Sequence, residues 1–407
     1  MTAAVSSKKR RVVLTMEQAL SMSYATLRFV HLGWRVIRLE PTPIGGRTTK
    51  GDPNRYIGRE VAGHDRHSYY VAPNVGKEAI ALNLKEEDGR ALVRRLIREL
   101  PVDVFCTNTL PAHHQGLGID YDSLRAERDD LIWCSISALG LDYPDVPGYD
   151  PVIQAQCGFM DLTGTPDGPP LQCGPPITDL KAGDEAFTQV LLALLERQET
   201  GRGQRIDVSL AGGALSWLHT FLPMLDMGSS PSELRRSGNE HRQFIPVNAY
   251  ATGDGYIYMA IGGDGQWQRF AQSSMFRTLD QPRFVTNEGR RRDKVELHRL
   301  IEELTRQHPT AAVAEVLTAA TIPNSRITPI EEVMDLPFAG SRALRTVTPD
   351  GRVVRLPPPA ASTPYLEKCG GTLPFAPRYG EHTDAILREV SVLPAAIAAL
   401  RERGVIA

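Results

Sequence analysis

The sequence predicts an α/β protein, with a large domain built on a mostly parallel sheet and a smaller α+β domain. Three observations carry this reading. The first half alternates strand-like and helix-like segments, and composition shifts at the Gly228-Ser229-Ser230-Pro231 break. At 407 residues the chain also exceeds one ordinary core.

Residues 34–39, 78–84, 102–107 and 131–137 read as buried strands, being short, apolar and bounded by polar or glycine-rich stretches. Between them, residues 86–99 place Leu92, Val93, Leu96 and Ile97 on one helical face. Residues 183–199 repeat that spacing with Phe187, Val190, Leu191, Leu194 and Leu195, and Gly201 ends the run. Residues 205–210 read as a further strand. Beyond the 228–231 break, residues 246–328 read as an α+β unit opening with a strand pair around Gly253-Asp254-Gly255. Pro357-Pro358-Pro359 marks a second loop-rich boundary, and residues 382–403 carry a helix pattern. No internal repeat is visible.

Lys and Arg total 46 against 48 Asp and Glu, so no bulk basic field invites nucleic acid. The run Lys8-Lys9-Arg10-Arg11 reads as a solvated tail. No apolar run approaches the roughly 18 residues of a membrane span, and no signal-peptide core follows the basic run. Five widely spaced cysteines with no CxxC pair fit a reducing, cytoplasmic setting without disulfide framework or structural zinc.

Gly262-Gly263-Asp264-Gly265 hints at a dinucleotide loop. Gln268 stands where the third glycine of GxGxxG would be, and no ribose-binding acid follows at the usual distance, so a tight turn is the better reading. His113 and His114 are adjacent and lack partners at ligand spacing, which argues against a metal. No GxSxG elbow supports a serine nucleophile. What remains is Asp179, between a Gly/Pro-rich loop at 164–176 and an apolar helix. It reads both as a helix N-cap and as a nucleophilic carboxylate, held ionised by the unpaired N–H groups of a helix start. Chemistry alone leaves both open.

Seven pieces in order resemble the family III CoA-transferases over nearly the full length. They are 33–40 (GWRVIRLE), 74–77 (NVGK), 116–118 (GLG), 131–137 (LIWCSIS), the block 147–204, 238–241 (GNEH) with Pro246, and 380–384 (GEHTD). The resemblance implies that Asp179 is the catalytic aspartate. It implies covalent exchange through an aspartyl anhydride and an aspartyl-CoA thioester, with a coenzyme A thioester as substrate and no permanently bound cofactor or metal. It also implies CoA contacts by Arg38, Lys77 and Asn108, with Tyr149 and Asp150 beside the catalytic carboxylate. Gly238 and Asn239 are the segment expected to close over the site.

Three departures stand out. Leu20-Ser21-Met22-Ser23 replace the Gln/Ala-Gly-Pro segment common in the family's first helix, Gly116 replaces a basic residue, and Pro147 stands where one branch has lysine. The first helix resembles a two-subunit branch that passes CoA from succinyl-CoA to benzylsuccinate. A racemase on the same fold would need a histidine where Tyr149 stands, which favours transfer. A subunit that binds CoA without catalysis is the third reading. Architecturally the resemblance implies a Rossmann-like large domain from 1–225 with a C-terminal segment, 331–407, returning to it, and a small domain at 226–330. It further implies an interlocked homodimer or a hetero-oligomer with a paralogous subunit, acting on acyl-CoA and carboxylic acid partners.

Overall fold

A computed structural model describes residues 10–43 and 50–407. The chain divides into two compact units. The first comprises residues 1–157, 174–218 and 336–407, the second 158–173 and 219–335.

The first unit is organised by six strands: β1 (Val12–Met16), β2 (Arg35–Pro41), β3 (Glu78–Leu82), β4 (Val102–Thr107), β5 (Ile132–Ser137) and β6 (Arg205–Ser209). They form one sheet in the order β3-β2-β1-β4-β5-β6, and every neighbouring pair is parallel. Strand order therefore reverses between β1 and β4, opening a crevice at their carboxyl ends. β1, β3, β4 and β5 are largely buried because both faces are covered, whereas the edge strand β6 buries only Val208. Leu14, Ile37, Ile80, Val102, Phe105 and Trp133 join the helix Glu87–Glu99 in a single core.

β1 has no counterpart among the strands expected from the sequence, so 35–41 is the second strand of the sheet, not the first. The basic run is also placed differently. Lys8 and Lys9 lie outside the described residues. Arg10 donates to the Gly33 and Trp34 carbonyls and Arg11 to Asp103, so these two anchor β1 rather than trail in solvent.

The edge of β3 is closed by residues far along the chain. The Ala79 and Ala81 amides donate to His382 Nδ1 and Thr383 Oγ1, Leu82 bridges to Ile406, and Asn83 N donates to the Val405 carbonyl. The helix pattern at 382–403 is two helices, Thr383–Glu389 and Pro394–Glu402. Ser391 interrupts it with φ 57°, and Pro394 starts the second piece.

Two long-separated helices cross on this sheet, Ser21–His31 and Ile177–Thr200. Gly183 makes the crossing possible: a Cβ there would lie 2.7 Å from the Ser21 carbonyl oxygen and 2.9 Å from the Tyr24 ring.

The second unit holds the antiparallel sheet β7 (Val247–Ala251), β8 (Tyr256–Ala260) and β9 (Asn324–Arg326). Helices including Asp264–Gln272, Lys294–Thr305 and Thr310–Ala319 pack around Trp267, Phe270, Phe276 and Phe284. The boundary expected at 225 shifts. Residues 158–173 belong with this unit because Arg236 pairs with Asp161 and donates to the Gly168 carbonyl, while Gly238 N donates to the Gly164 carbonyl.

Candidate active site

The crevice at the sheet's switch point holds a cavity of about 290 Å³. Its wall comes from the turn after β1 (Gln18 to Ser21), from Asp52 to Asn54, from the segment after β4 (Asn108 to Pro111), from the end of β5, and from Val146 to Tyr149; Asp179 also lines it. This is where open parallel sheets bind ligands.

Asp179 sits inside the first turn of the helix Ile177–Thr200, which begins six residues earlier than its apolar pattern suggests. The N-cap residue is Pro176, which has no side-chain hydrogen bond to give. The cap comes instead from Asp150, at the start of the helix Asp150–Gln156. Its Oδ1 accepts from Thr178 N (2.7 Å), Thr178 Oγ1 (2.6 Å) and Asp179 N (3.3 Å), while Oδ2 accepts from Gln154 Nε2 (2.6 Å). The alternative reading of Asp179 as the cap is thereby removed: Asp150 satisfies the helix start.

The expectation that helix N–H groups hold Asp179 ionised also changes. Those donors face Asp150. Burial, and secondly the negative charge of Asp150, push the Asp179 carboxyl up to about 7. Among the described residues no hydrogen bond reaches its oxygens. The result is a half-buried carboxylate, basic for its kind and unencumbered, facing a cavity.

Arg38 and Lys77 are placed away from this cavity in a sealed ion network, a correction to their expected contacts with CoA phosphates. Arg38 is 0% exposed, and its Nε lies 3.1 Å from Glu17 and its Nη2 2.9 Å from Asp52. Lys77 Nζ donates to Glu17 (2.7 Å), Thr26 Oγ1 (2.7 Å) and the Ser23 carbonyl (2.9 Å), and burial lowers its pKa to about 8. Glu40 and Arg55 complete the network. Both partners of every pair are withdrawn from water, and neither cation lines the cavity.

Asn108 lines the cavity. Its carboxamide closes a two-bond ring on Gln18, accepting from Gln18 N (3.0 Å) and donating to the Gln18 carbonyl (2.8 Å). Tyr149 lies at the rim, 72% exposed. Pro147 lines the cavity too. Gly238 and Asn239 belong to the second unit, where Tyr258 Oη donates to the Asn239 carbonyl (3.2 Å).

Leu20 and Ser21 line the cavity, but Met22 and Ser23 are buried. Gln18 and Ala19, which carry no sequence signal of a site, take their place. Ala19 can be flagged as a residue just before a helix start, but its conformation cannot.

Of the other motifs, Gly262 and Gly263 form a turn leading into the helix Asp264–Gln272, where Asp264 pairs with Arg290. His113 is exposed, whereas His114 binds the Thr109 carbonyl and meets the Trp133 ring edge-on. Among the described residues no three His, Cys, Asp or Glu side chains gather as a metal site, and no helix is long and apolar enough to cross a membrane.

Residues 10–383 match CoA-transferase family III. The chain belongs to this family. It is 31% identical over 390 residues to the succinate–glutarate CoA-transferase of Agrobacterium fabrum, covering 94% of this chain and 95% of that protein. It is 27% identical to the human succinyl-CoA:glutarate CoA-transferase, over 93% and 84% of the two chains. Among solved structures, a CAIB/BAIF family protein from Brucella suis superimposes with a TM-score of 0.79 at 30% identity, over 93% of this chain and 98% of that one. The fold is therefore that of the family III CoA-transferases, and the chain is an enzyme of that class.

Proposed function

We propose that this CoA-transferase moves CoA from succinyl-CoA to a dicarboxylic acid, with Asp179 as the covalent nucleophile. The observation that carries the mechanism is the state of Asp179: relieved of capping by Asp150, free of hydrogen bonds from the described residues, and raised to about 7. Basicity and nucleophilicity rise together, and removal of water strengthens attack by a carboxylate.

An Asp179 oxygen attacks the thioester carbonyl carbon. The new C–O bond forms, the C–S bond breaks, and CoA leaves as thiolate, giving a mixed anhydride. The thiolate attacks the aspartyl carbonyl, releasing the donor carboxylate and leaving aspartyl-CoA. The acceptor carboxylate attacks that carbonyl and expels the thiolate. The thiolate finally attacks the acceptor's acyl carbon, yielding the new thioester and restoring Asp179. Charge and atoms balance without a net proton or any redox step. Water must be kept out while the anhydride exists, a task we assign to the Gly238 and Asn239 segment; Asn108 and Tyr149 border the CoA arm.

The dicarboxylate preference is supported by the relatives named for succinate and glutarate. Benzylsuccinate, a succinate with an aromatic arm, belongs to the same acceptor class and is the acceptor to run against glutarate. The enzyme works as a dimer, alone or with a paralogous chain. The test is exchange between succinyl-CoA and glutarate or benzylsuccinate, with mass measured by light scattering. Hydroxylamine after incubation with succinyl-CoA should leave a hydroxamate on Asp179 in mass spectra, and Asp179→Asn should lose both the adduct and the exchange. Full exchange by that variant would sink the mechanism.

A further inference from the structure

The buried ion network carries an inference about the wall facing the reaction. Ala19 adopts φ 55°, a left-handed conformation that is unfavourable for a residue with a Cβ, and it lines the cavity that holds Asp179. Strain of this kind persists only where the surroundings impose it. Two side chains do so. Asn108 fixes both peptide groups of Gln18, and the Ala19 amide lies 3.4 Å from Asp52 Oδ1.

Asp52 is in turn immobilised from every side. Its Oδ1 also accepts from Asn54 N (2.9 Å), Oδ2 accepts from Arg38 Nη2 (2.9 Å), and its own amide donates to Glu40 Oε1 (3.1 Å). The same Arg38 Nη2 donates to the carbonyl of Glu17, the residue before Gln18 (3.2 Å). Asp52 and Arg38 therefore grip the turn at nearby peptides, and Arg38 is anchored by Glu17 and Glu40. A buried charge set of this kind adds little net stability, whereas removal of one partner leaves the other buried and unpaired.

We propose that Asp52 is a positioning residue for CoA transfer: its carboxylate, aimed by Arg38, is the strut that holds Gln18 and Ala19 in the cavity wall. The strut keeps the backbone of the turn, and the helix start at Ser21 that follows it, in fixed register with Asp179. This rests on Asp179 being the nucleophile.

The test compares Asp52→Ala, Asp52→Asn, Ala19→Gly and the double variants, with succinyl-CoA and glutarate as substrates. Asp52→Ala should lower kcat about tenfold or more while KM for succinyl-CoA stays within about threefold, since geometry and not uniform binding is lost. Asp52→Asn keeps one acceptor for the Ala19 amide and should fall between. Glycine needs no strut to reach φ 55°, so adding Ala19→Gly to Asp52→Ala should recover about fivefold in kcat, the rate equivalent of the relieved strain. A direct contact between Asp52 and substrate would not be rescued in this way. If Asp52→Ala does not fold, the Asp52→Asn pair with and without Ala19→Gly decides the same question. Unchanged kcat in a folded Asp52→Ala protein, or no recovery with Ala19→Gly, overturns the proposal. Full exchange by Asp179→Asn sinks this proposal along with the nucleophile; a dead Asp179→Asn beside a normal Asp52→Ala sinks this one alone.

Discussion

Replacing Asp179 by asparagine should stabilise the protein at neutral and alkaline pH, and only there. The reasoning starts from burial. In the unfolded chain Asp179 titrates at about 3.9, and in the folded protein at about 7. Between those values the folded state holds a proton that the unfolded state has lost. Stability contributed by the protonated form is thus fully present below about pH 4 and disappears as pH rises through about 7. A rise from about 3.9 to about 7 corresponds to about 4 kcal/mol, and partial solvent access to the cavity cuts this to about 2 kcal/mol. An asparagine side chain mimics the protonated carboxyl and does not titrate. Denaturant melts of both proteins should therefore coincide near pH 4 and separate progressively, with the Asp179→Asn variant ahead by about 2 kcal/mol at about pH 8. Equal stability at all pH values would refute the claim that folding places an unfavourable charge at this position. So would a gap that narrows as pH rises.

The remaining expectations concern neighbours of that charge. The wild-type kcat/KM should rise with pH along a limb centred at about 7, because only the ionised carboxylate attacks; a limb at about 4 would contradict the raised value. Asp150→Asn should move that limb to lower pH, since one of the two causes of the shift is removed, and it should cost about 1 kcal/mol in thermal melts through a weakened helix cap. Gly183→Ala should destabilise by about 1–3 kcal/mol and slow transfer, because its Cβ meets the Ser21 carbonyl oxygen at the helix crossing. A Gly183→Ala protein with unaltered melting and rate would show that the crossing does not set the register of Asp179 with the first helix.

How far the sequence reaches depends on whether the cause is local. The strands β2 to β5 announce themselves by apolar runs, and 147–204 in family order singles out Asp179. β1 is hidden because five residues beside a basic run carry little pattern of their own. The start of the Asp179 helix reads late because its cap is supplied 29 residues upstream, by Asp150, and not by a neighbour. Arg38 and Lys77 read as CoA contacts only through the family resemblance, and nothing in the residues beside them spells out an ion network. Their acids, Glu17, Glu40 and Asp52, meet them only once β1, β2 and the following loop are assembled. Ala19 is the clearest case. Nothing in an alanine foretells a left-handed backbone that tertiary contacts impose.

The closing of β3 by residues beyond 380 has a bearing on biosynthesis. As the polypeptide leaves the ribosome, Glu78–Leu82 emerges more than 320 residues before Val405 and Ile406, the partners of its outer margin. Throughout that interval Ile80 and Leu82 belong to a strand with open backbone groups on one side, the template on which nascent chains pair with one another. The segment beyond 380 thus acts as a latch, and a nascent chain halted before it would be a substrate for chaperones rather than a smaller enzyme.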